Sequence, residues 1–447
     1  MGKYFGTDGV RGVANQTLTP ELAFKLGVAA ATALSENCDQ KVKILIGKDT
    51  RISGDMLEAA LAAGMCSTGA DVYLLGIIPT PGVAILCRRF KATAGAVISA
   101  SHNPFEDNGI KFFSASGYKL PDVVEDEIER LMDDCNSLNR PVGEKVGRIH
   151  MVDAAAAFYV QILKEKFPLD LRGIKMVLDT ANGAASFIGP ELFTSLGTQV
   201  VAIADQPDGC NINKDCGSTH MQLLQKTVLQ EKADIGIALD GDADRVLAVD
   251  EKGNLMDGDM ILAICAVHMQ KQGLLKNDTL VATIMSNMGL KVAMQKHGIQ
   301  MEETKVGDRY VLEQMLASGA VLGGEQSGHI IFSEYNTTGD GLASALFLLE
   351  VMQQNKQSLS ELNSVMQKLP QVLINVRVST KESWQDDADI FTAYEEAQKQ
   401  LASRGRALIR PSGTEPVLRV MVEGDNEEEL QALANRIADV IREKRGK

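Results

Sequence analysis

The sequence predicts an α/β protein of several domains. Three are related α/β units with mixed, mainly parallel sheets, and a smaller C-terminal α+β unit follows. Three observations predict this. The chain has 447 residues, too many for a single hydrophobic core. Short apolar runs alternate with amphipathic helical runs over most of its length, the pattern of parallel sheets covered on both faces. Near the end the rhythm changes, and two strands come in succession.

The elements follow in order. Residues 42–47 read as a strand and 56–68 as an Ala- and Met-rich amphipathic helix. Residues 71–75 and 82–90 repeat the pair, and 94–98 are a further buried strand. The same rhythm returns at 174–179 with 191–196, and at 279–284 with 289–297. Strands are also expected at 235–239 and 246–249, with a short apolar stretch at 320–322. The last block reads strand (372–378), helix (388–403), strand (407–410), strand (417–423) and helix (426–443), on a mixed or antiparallel sheet. Polar stretches at 136–147, 252–257 and 353–373 mark the boundaries, which divides the chain into 1–147, 148–254, 255–366 and 367–447. The first three blocks share a pattern of elements without a close sequence repeat, and each delivers one polar loop.

Composition narrows the class. Hydrophobic residues make up 45% of the chain, as in an ordinary globular protein, and no apolar run approaches the ~20 residues of a membrane helix. The opening Met-Gly-Lys-Tyr-Phe-Gly-Thr-Asp lacks the apolar core of a signal peptide and the hydroxyl residue needed for myristoylation. Seven scattered cysteines without a CxxC pair fit free thiols in a reducing cytoplasm. A net charge of −14 argues against nucleic acid or an anionic membrane as partner. An anionic ligand would need a local basic island. Arg11, His102, Lys111, Arg245, Lys305, Arg309, Arg410 and Arg419 lie in or beside Gly-rich loops and are its candidates.

Four motifs carry chemistry. In Thr-Ala-Gly-Ala-Val-Ile-Ser-Ala-Ser-His-Asn-Pro, at 93–104, a buried strand runs into small polar residues closed by a proline. Ser101 therefore sits on a loop at a strand's carboxyl end, where open α/β sheets place ligands. His102 and Asn103 are placed to polarise its hydroxyl. The segment alone also reads as a Ser or Asx turn.

In Asp-Gly-Asp-Ala-Asp-Arg, at 240–245, three carboxylates at alternate positions require a cation. Oxygen-only ligands suit a hard ion such as Mg²⁺. Gly241 is expected to let the backbone curl so that the carboxylates converge. Glu251 completes an EF-hand spacing, but Arg245 occupies the position that needs Gly and the flanks read as strands, so that reading is rejected. An Arg beside three carboxylates fits a phosphate that shares the metal.

In Gly-Gly-Glu-Gln-Ser-Gly-His, at 323–329, Glu325, Ser327 and His329 alternate, and in an extended segment they would point to one side. Glu and Ser suit sugar hydroxyls, and His329 suits proton transfer near neutral pH. In Arg-Pro-Ser-Gly-Thr-Glu-Pro, at 410–416, Arg410, Ser412, Gly413 and Thr414, with Arg419 beyond, compose a phosphate cradle.

With Phe-Gly-Thr-Asp-Gly-Val-Arg-Gly at 5–12, these motifs resemble the α-D-phosphohexomutase superfamily, in register over the whole chain. The opening motif and Gln326 resemble the branch acting on glucosamine phosphates. The phosphomannomutase/phosphoglucomutase branch, which typically has Met at that position, is the alternative. The resemblance implies three α/β domains and a mobile fourth around a central cleft. It implies one Mg²⁺ on Asp240, Asp242, Asp244 and a phosphorylated Ser101. It further implies conversion of glucosamine 6-phosphate to glucosamine 1-phosphate through glucosamine 1,6-bisphosphate, feeding amino-sugar nucleotide and cell-wall precursor synthesis. Arg245 would hold the moving phosphoryl group, and Lys111, His102 and His329 are the candidates for moving the hydroxyl proton. Arg11, Glu325, Ser327 and the 410–419 cradle would bind substrate. The resemblance also suggests a homodimer. Other classes are a sugar phosphate phosphatase, which has no use for a closing fourth domain, and a phosphosugar sensor, which needs only the clamp.

Overall fold

A computed structural model describes residues 2–6, 8–35, 41–135, 137–138, 140–402, 404–412 and 416–446. The chain forms two units, 1–285 with 298–365, and 286–297 with 366–447.

The first unit holds three sheets. The first contains β1 (Val10–Val13), β2 (Lys43–Lys48), β3 (Asp71–Ile77), β4 (Ala94–Ile98), β5 (Asp107–Ser114) and β6 (Ile149–Met151), in the order β1-β5-β4-β2-β3-β6. The second contains β7 (Lys175–Asp179), β8 (Gln199–Ile203), β9 (Ile235–Leu239), β10 (Val246–Asp250) and β11 (Leu255–Met256), in the order β11-β10-β9-β7-β8. The third contains β12 (Thr279–Thr283), β13 (Gln300–Thr304), β14 (Leu322–Gly324) and β15 (Ile330–Phe332), in the order β13-β12-β14-β15.

One topological device recurs. β4, β9 and β14 each pair in parallel on one side and antiparallel with the next strand in sequence on the other. The connection at each reversal is a polar loop: 99–106, 240–245 and 325–329. β4, β9 and β12 are buried along their whole length, because helices cover both faces of a parallel sheet. That burial is why β4 and β9 are unbroken runs of apolar residues and glycine, and why β12 has only threonine at its two ends.

Two elements fall across the expected divisions. β6 lies beyond residue 147 and pairs with β3 at the edge of the first sheet. Helix Met288–Lys296 belongs to the C-terminal unit, where the Met288 amide donates to Glu423 Oε1 at 2.8 Å.

In the C-terminal unit, β16 (Gln371–Arg377), β17 (Arg406–Pro411) and β18 (Val417–Glu423) make an antiparallel sheet in the order β16-β18-β17. Helices Ala388–Leu401 and Glu427–Arg445 pack on it, with Ile390, Leu418, Val420, Leu430 and Ile437 buried between. Among the described residues no helix is long and apolar enough to cross a membrane.

Candidate active site

The Ser101 and Asp240 loops meet. Ser101 Oγ donates to Asp240 Oδ2 at 2.6 Å, and Ser101 is 2% exposed. Its φ is +52°, the left-handed region that side chains rarely occupy, so tertiary contacts must hold it there. The Ser101 amide donates to Ser99 Oγ at 2.9 Å, and that hydroxyl donates to Asp49 Oδ2 at 2.6 Å.

Asp240, Asp242 and Asp244 are buried, and one oxygen from each lies within 4.8 Å of the others. Asp242 Oδ2 accepts from Thr80 Oγ1 at 2.5 Å and from Lys111 Nζ at 2.8 Å. Lys111 Nζ is also 3.6 Å from Asp244 Oδ2. Burial raises the Asp240 carboxyl well above its usual range, with Asp244 and Asp242 adding to the shift. Burial works against the Lys111 ammonium, yet Asp242, Asp8 and Asp244 hold its pKa above the ordinary lysine value.

The trio fits a cation. Asp242 Oδ1 and Asp244 Oδ1 are buried and accept no hydrogen bond. Such oxygens are costly unless a positive partner faces them. A set of carboxylate oxygens alone suits a hard divalent ion. Glu251 instead accepts from Ser360, and strands flank the loop, which agrees with rejecting the EF-hand.

Gly241 has a different role from the one expected. It is not among the positive-φ residues, whereas Ala243 is, at +54°. A Cβ on Gly241 would lie 2.6 Å from the Ser101 carbonyl oxygen and 2.9 Å from Asn213 Nδ2. Glycine is needed here for the close approach of two loops, not for curl.

The Glu325 loop also differs from expectation. It is a tight turn rather than an extended segment: the Gly328 amide donates to the Glu325 carbonyl at 2.9 Å, and Gly328 has φ +92°. The turn folds Glu325 and His329 into one cleft, lined also by Arg11, Asp244, Arg245 and Gly307. Glu325 Oε1 accepts from the Gly307 amide at 3.0 Å. Ser327 Oγ is buried and makes no hydrogen bond. His329 Nε2 accepts from the Gly339 amide at 3.0 Å, so the ring proton sits at Nδ1, which faces Asp244 Oδ2 at 3.6 Å. His102 Nδ1 lies 3.4 Å from Ser101 Oγ, and its pKa is pushed down to about 4, by burial first and then by Arg245 and Arg11.

Of the expected basic island, Arg11, Arg245 and Arg309 line this cleft, and Lys111 and His102 lie at the carboxylates and Ser101. Arg11 pairs with Asp8. Arg309 is taken up by Asp122 and Glu313, and Lys305 lies over the Tyr310 ring, 5.9 Å from its centroid. In the C-terminal unit Arg410 and Arg419 are directly opposed on β17 and β18, which puts two guanidinium side chains on one face of the sheet. Ser412 is buried, and its carbonyl accepts from Lys381 Nζ at 2.6 Å. Gly413 and Thr414 lie outside the described residues.

Phosphoglucomutase/phosphomannomutase alpha/beta/alpha domains I, II and III match residues 2–138, 157–253 and 257–369, and the C-terminal domain of that family matches 373–440. The chain belongs to the phosphoglucomutase/phosphomannomutase family. This phosphohexomutase is 53% identical to phosphoglucosamine mutase of Desulforamulus reducens, over 99% of both chains. It is 54% identical to phosphoglucosamine mutase of Acetivibrio thermocellus, over 100% of both. By family it is an isomerase. Two solved structures share the fold. One is a phosphoglucomutase/phosphomannomutase family protein from Burkholderia thailandensis, with TM-score 0.82 and 23% identity, covering 98% of this chain and 97% of that one. The other is Aspergillus fumigatus N-acetylphosphoglucosamine mutase in complex with GlcNAc-6P and magnesium, with TM-score 0.66 and 19% identity, covering 91% and 84%.

Sequence reasoning missed several residues of this phosphohexomutase site. Asp49 and Arg51 follow β2, whose parallel neighbour is β4. Charged residues straight after a buried strand were a usable signal for them. Asp8, Lys119 and Asp308 form a half-buried ion cluster, with Lys119 Nζ 2.8 Å from Asp8 Oδ1 and 2.6 Å from Asp308 Oδ2. Nothing in the sequence marks those three as neighbours.

Proposed function

We propose that the chain interconverts glucosamine 6-phosphate and glucosamine 1-phosphate through a phosphoserine at Ser101 and a 1,6-bisphosphate intermediate. The single observation that carries this reading is the Ser101 hydroxyl held on Asp240 inside a buried carboxylate trio, two of whose oxygens accept no hydrogen bond. A plain turn serine would need no such company.

Asp240, Asp242 and Asp244, with an oxygen of phosphorylated Ser101, would hold one Mg²⁺. The ion would supply charge neutralisation for the moving phosphoryl group and for the serine leaving oxygen. The bond from phosphorus to Ser101 Oγ breaks and a bond to sugar O1 forms. His102, Lys111 and His329 are the candidates for moving the O1 proton, and Lys111, held as the ammonium, can only donate one. Arg245 and Arg11 face the non-bridging oxygens from the cleft wall. Glu325 and Ser327 hold sugar hydroxyls. The bisphosphate then turns over, and its 6-phosphate returns to Ser101 by the same chemistry. Arg410, Ser412, Gly413, Thr414 and Arg419 hold the phosphate that is not reacting.

We take the chain as a cytoplasmic homodimer with no nucleic-acid or membrane partner, divided at about residues 147, 254 and 366. Turnover of glucosamine, glucose and mannose phosphates, measured side by side, tests the substrate. Glucosamine phosphate should be best, with moderate selectivity, because one site must accept two orientations. A preference for mannose 6-phosphate would move the chain to the neighbouring branch.

A further inference from the structure

The Ser101 loop is held by its carbonyl groups. Arg51 is buried, with its side chain wholly inaccessible. A guanidinium has five N–H donors in a fixed fork. All five are engaged here. Nε donates to Asp49 Oδ2 at 2.9 Å. Nη2 donates to the carbonyls of Ser101 at 2.9 Å and Asn103 at 2.8 Å. Nη1 donates to the carbonyls of Pro104 and of Asp107, the latter at 3.0 Å.

A second side chain arrives from the loop after β8. Asn213 Nδ2 donates to the same two carbonyls, Ser101 at 2.9 Å and Asn103 at 3.0 Å. Two acceptors at one end of the amide fix which end points inward. Asn213 is 7% exposed with φ +59°, and its own amide donates to the Ala181 carbonyl at 2.9 Å. Thr50, beside Arg51, donates from its hydroxyl to the Asn182 carbonyl at 2.5 Å. The ends of β2, β4, β7 and β8 are thereby tied into one junction, and Gly241, just past β9, packs against it.

We infer that Arg51 and Asn213 are positioning residues for the phosphoryl-carrying serine: they clamp the carbonyls of residues 101 and 103 from two sides and so set the Ser101 hydroxyl on Asp240. Neither side chain lines the cleft of Glu325 and His329. With both carbonyls turned to these donors, residue 101 is held at positive φ and its side chain is delivered to the carboxylate trio. A shift of the loop by about 1 Å is enough to cost roughly a hundredfold in rate. The inference rests on Ser101 being the phosphorylated residue.

The test uses Asn213→Gly and Asn213→Asp in the full chain. Both residue types tolerate positive φ, and neither places an amide N–H on the two carbonyls. Three readings are taken on each: kcat and KM for the sugar phosphate, single-turnover phosphorylation of Ser101 by labelled hexose 1,6-bisphosphate, and hydrogen exchange of the peptide covering 99–108. The clamp predicts a kcat loss of about ten- to hundredfold with KM within about threefold, slower labelling of Ser101, and faster exchange confined to that peptide. Arg51→Lys, with three donors and no planar fork, should show the same signature more strongly. Asn213→Gly with kcat and exchange like wild type overturns the inference. So does a kcat loss that merely tracks the fraction of unfolded protein in the sample. Wild type that takes no label on Ser101 overturns the phosphoserine reading instead, and the exchange of 99–108 in the variants then decides the clamp by itself.

Discussion

Ser101 Oγ and Asp240 Oδ2 are 2.6 Å apart across 139 residues of sequence. Each residue stands just past the carboxyl end of a fully buried strand, β4 or β9, where the next strand pairs antiparallel. The two sheets thus point their loop-bearing ends at one another. A hydroxyl and three carboxylates meet in a place from which water is largely excluded, which strengthens any charge interaction made there.

Ser101→Ala should abolish turnover and leave the fold intact. The loop is held through its carbonyls by Arg51 and Asn213, not through the serine hydroxyl. Phosphopeptide mass spectrometry of the wild type should find phosphate on the peptide containing Ser101. Near-normal activity in the alanine variant would remove Ser101 from the mechanism.

A chelator should silence the enzyme, Mg²⁺ should restore it, and Ca²⁺ should restore it poorly, because Ca²⁺ favours more ligands and looser geometry. Mg²⁺ should also raise Tm, since it would neutralise Asp242 Oδ1 and Asp244 Oδ1, which otherwise lie buried without a donor. At a hundredfold excess over Kd the gain is about 2.7 kcal/mol. A thermal scan with and without Mg²⁺ measures it, and no shift in Asp242→Asn would tie the effect to the trio.

Gly241→Ala should lower kcat at least tenfold, since the new methyl must displace the Ser101 carbonyl 2.6 Å away. The position has an ordinary φ, so backbone strain is not the cause. Steady-state kinetics alongside Tm separate a displaced loop from a general loss of fold. Wild-type kcat would show that the junction yields freely.

Tyr159→Phe should destabilise the first unit by about 1–2 kcal/mol without changing kcat. The Tyr159 hydroxyl donates to buried Asp340 Oδ1 at 2.8 Å, and Asp340 keeps donors from the Ala343 amide and Asn336 when it is lost. Urea unfolding gives the stability change. A loss above about 4 kcal/mol would mean that the hydroxyl holds more than this one carboxyl.

Arg410→Ala should lower kcat/KM about ten- to hundredfold, the worth of one charge-assisted bond to phosphate of roughly 1.5–3 kcal/mol. Both kcat and KM should change, because binding of the remote phosphate also aligns the reacting end. Ser101 should still be phosphorylated. Release of 1,6-bisphosphate into solution per turnover should rise, and single-turnover trapping reads it. Unchanged KM and unchanged release would reduce the cradle to a surface turn.

Much of this protein was legible without coordinates, for a definite reason. β4 and β9 occupy the residues expected, because strands buried on both faces must be unbroken apolar runs and end where polarity returns. The carboxylate trio was legible because three acids at alternate positions cannot pack against one another without a cation. Contacts made across the chain were not legible. In the sequence Arg51 is only a charge after a buried strand, and only the fold shows Ser101, Asn103, Pro104 and Asp107 turning their carbonyls toward it. Helix Met288–Lys296 has an apolar face that says it is buried, but not that Glu423 of the C-terminal unit caps it. Periodicity and composition are local and record how much of a residue is covered, so the sequence by itself determined the fully buried strands and the family, and marked the polar loops. Which loops meet, and which side chains hold Ser101 in place, was decided only by tertiary structure, because hydrogen-bond partners 50 or 112 residues apart leave no local trace.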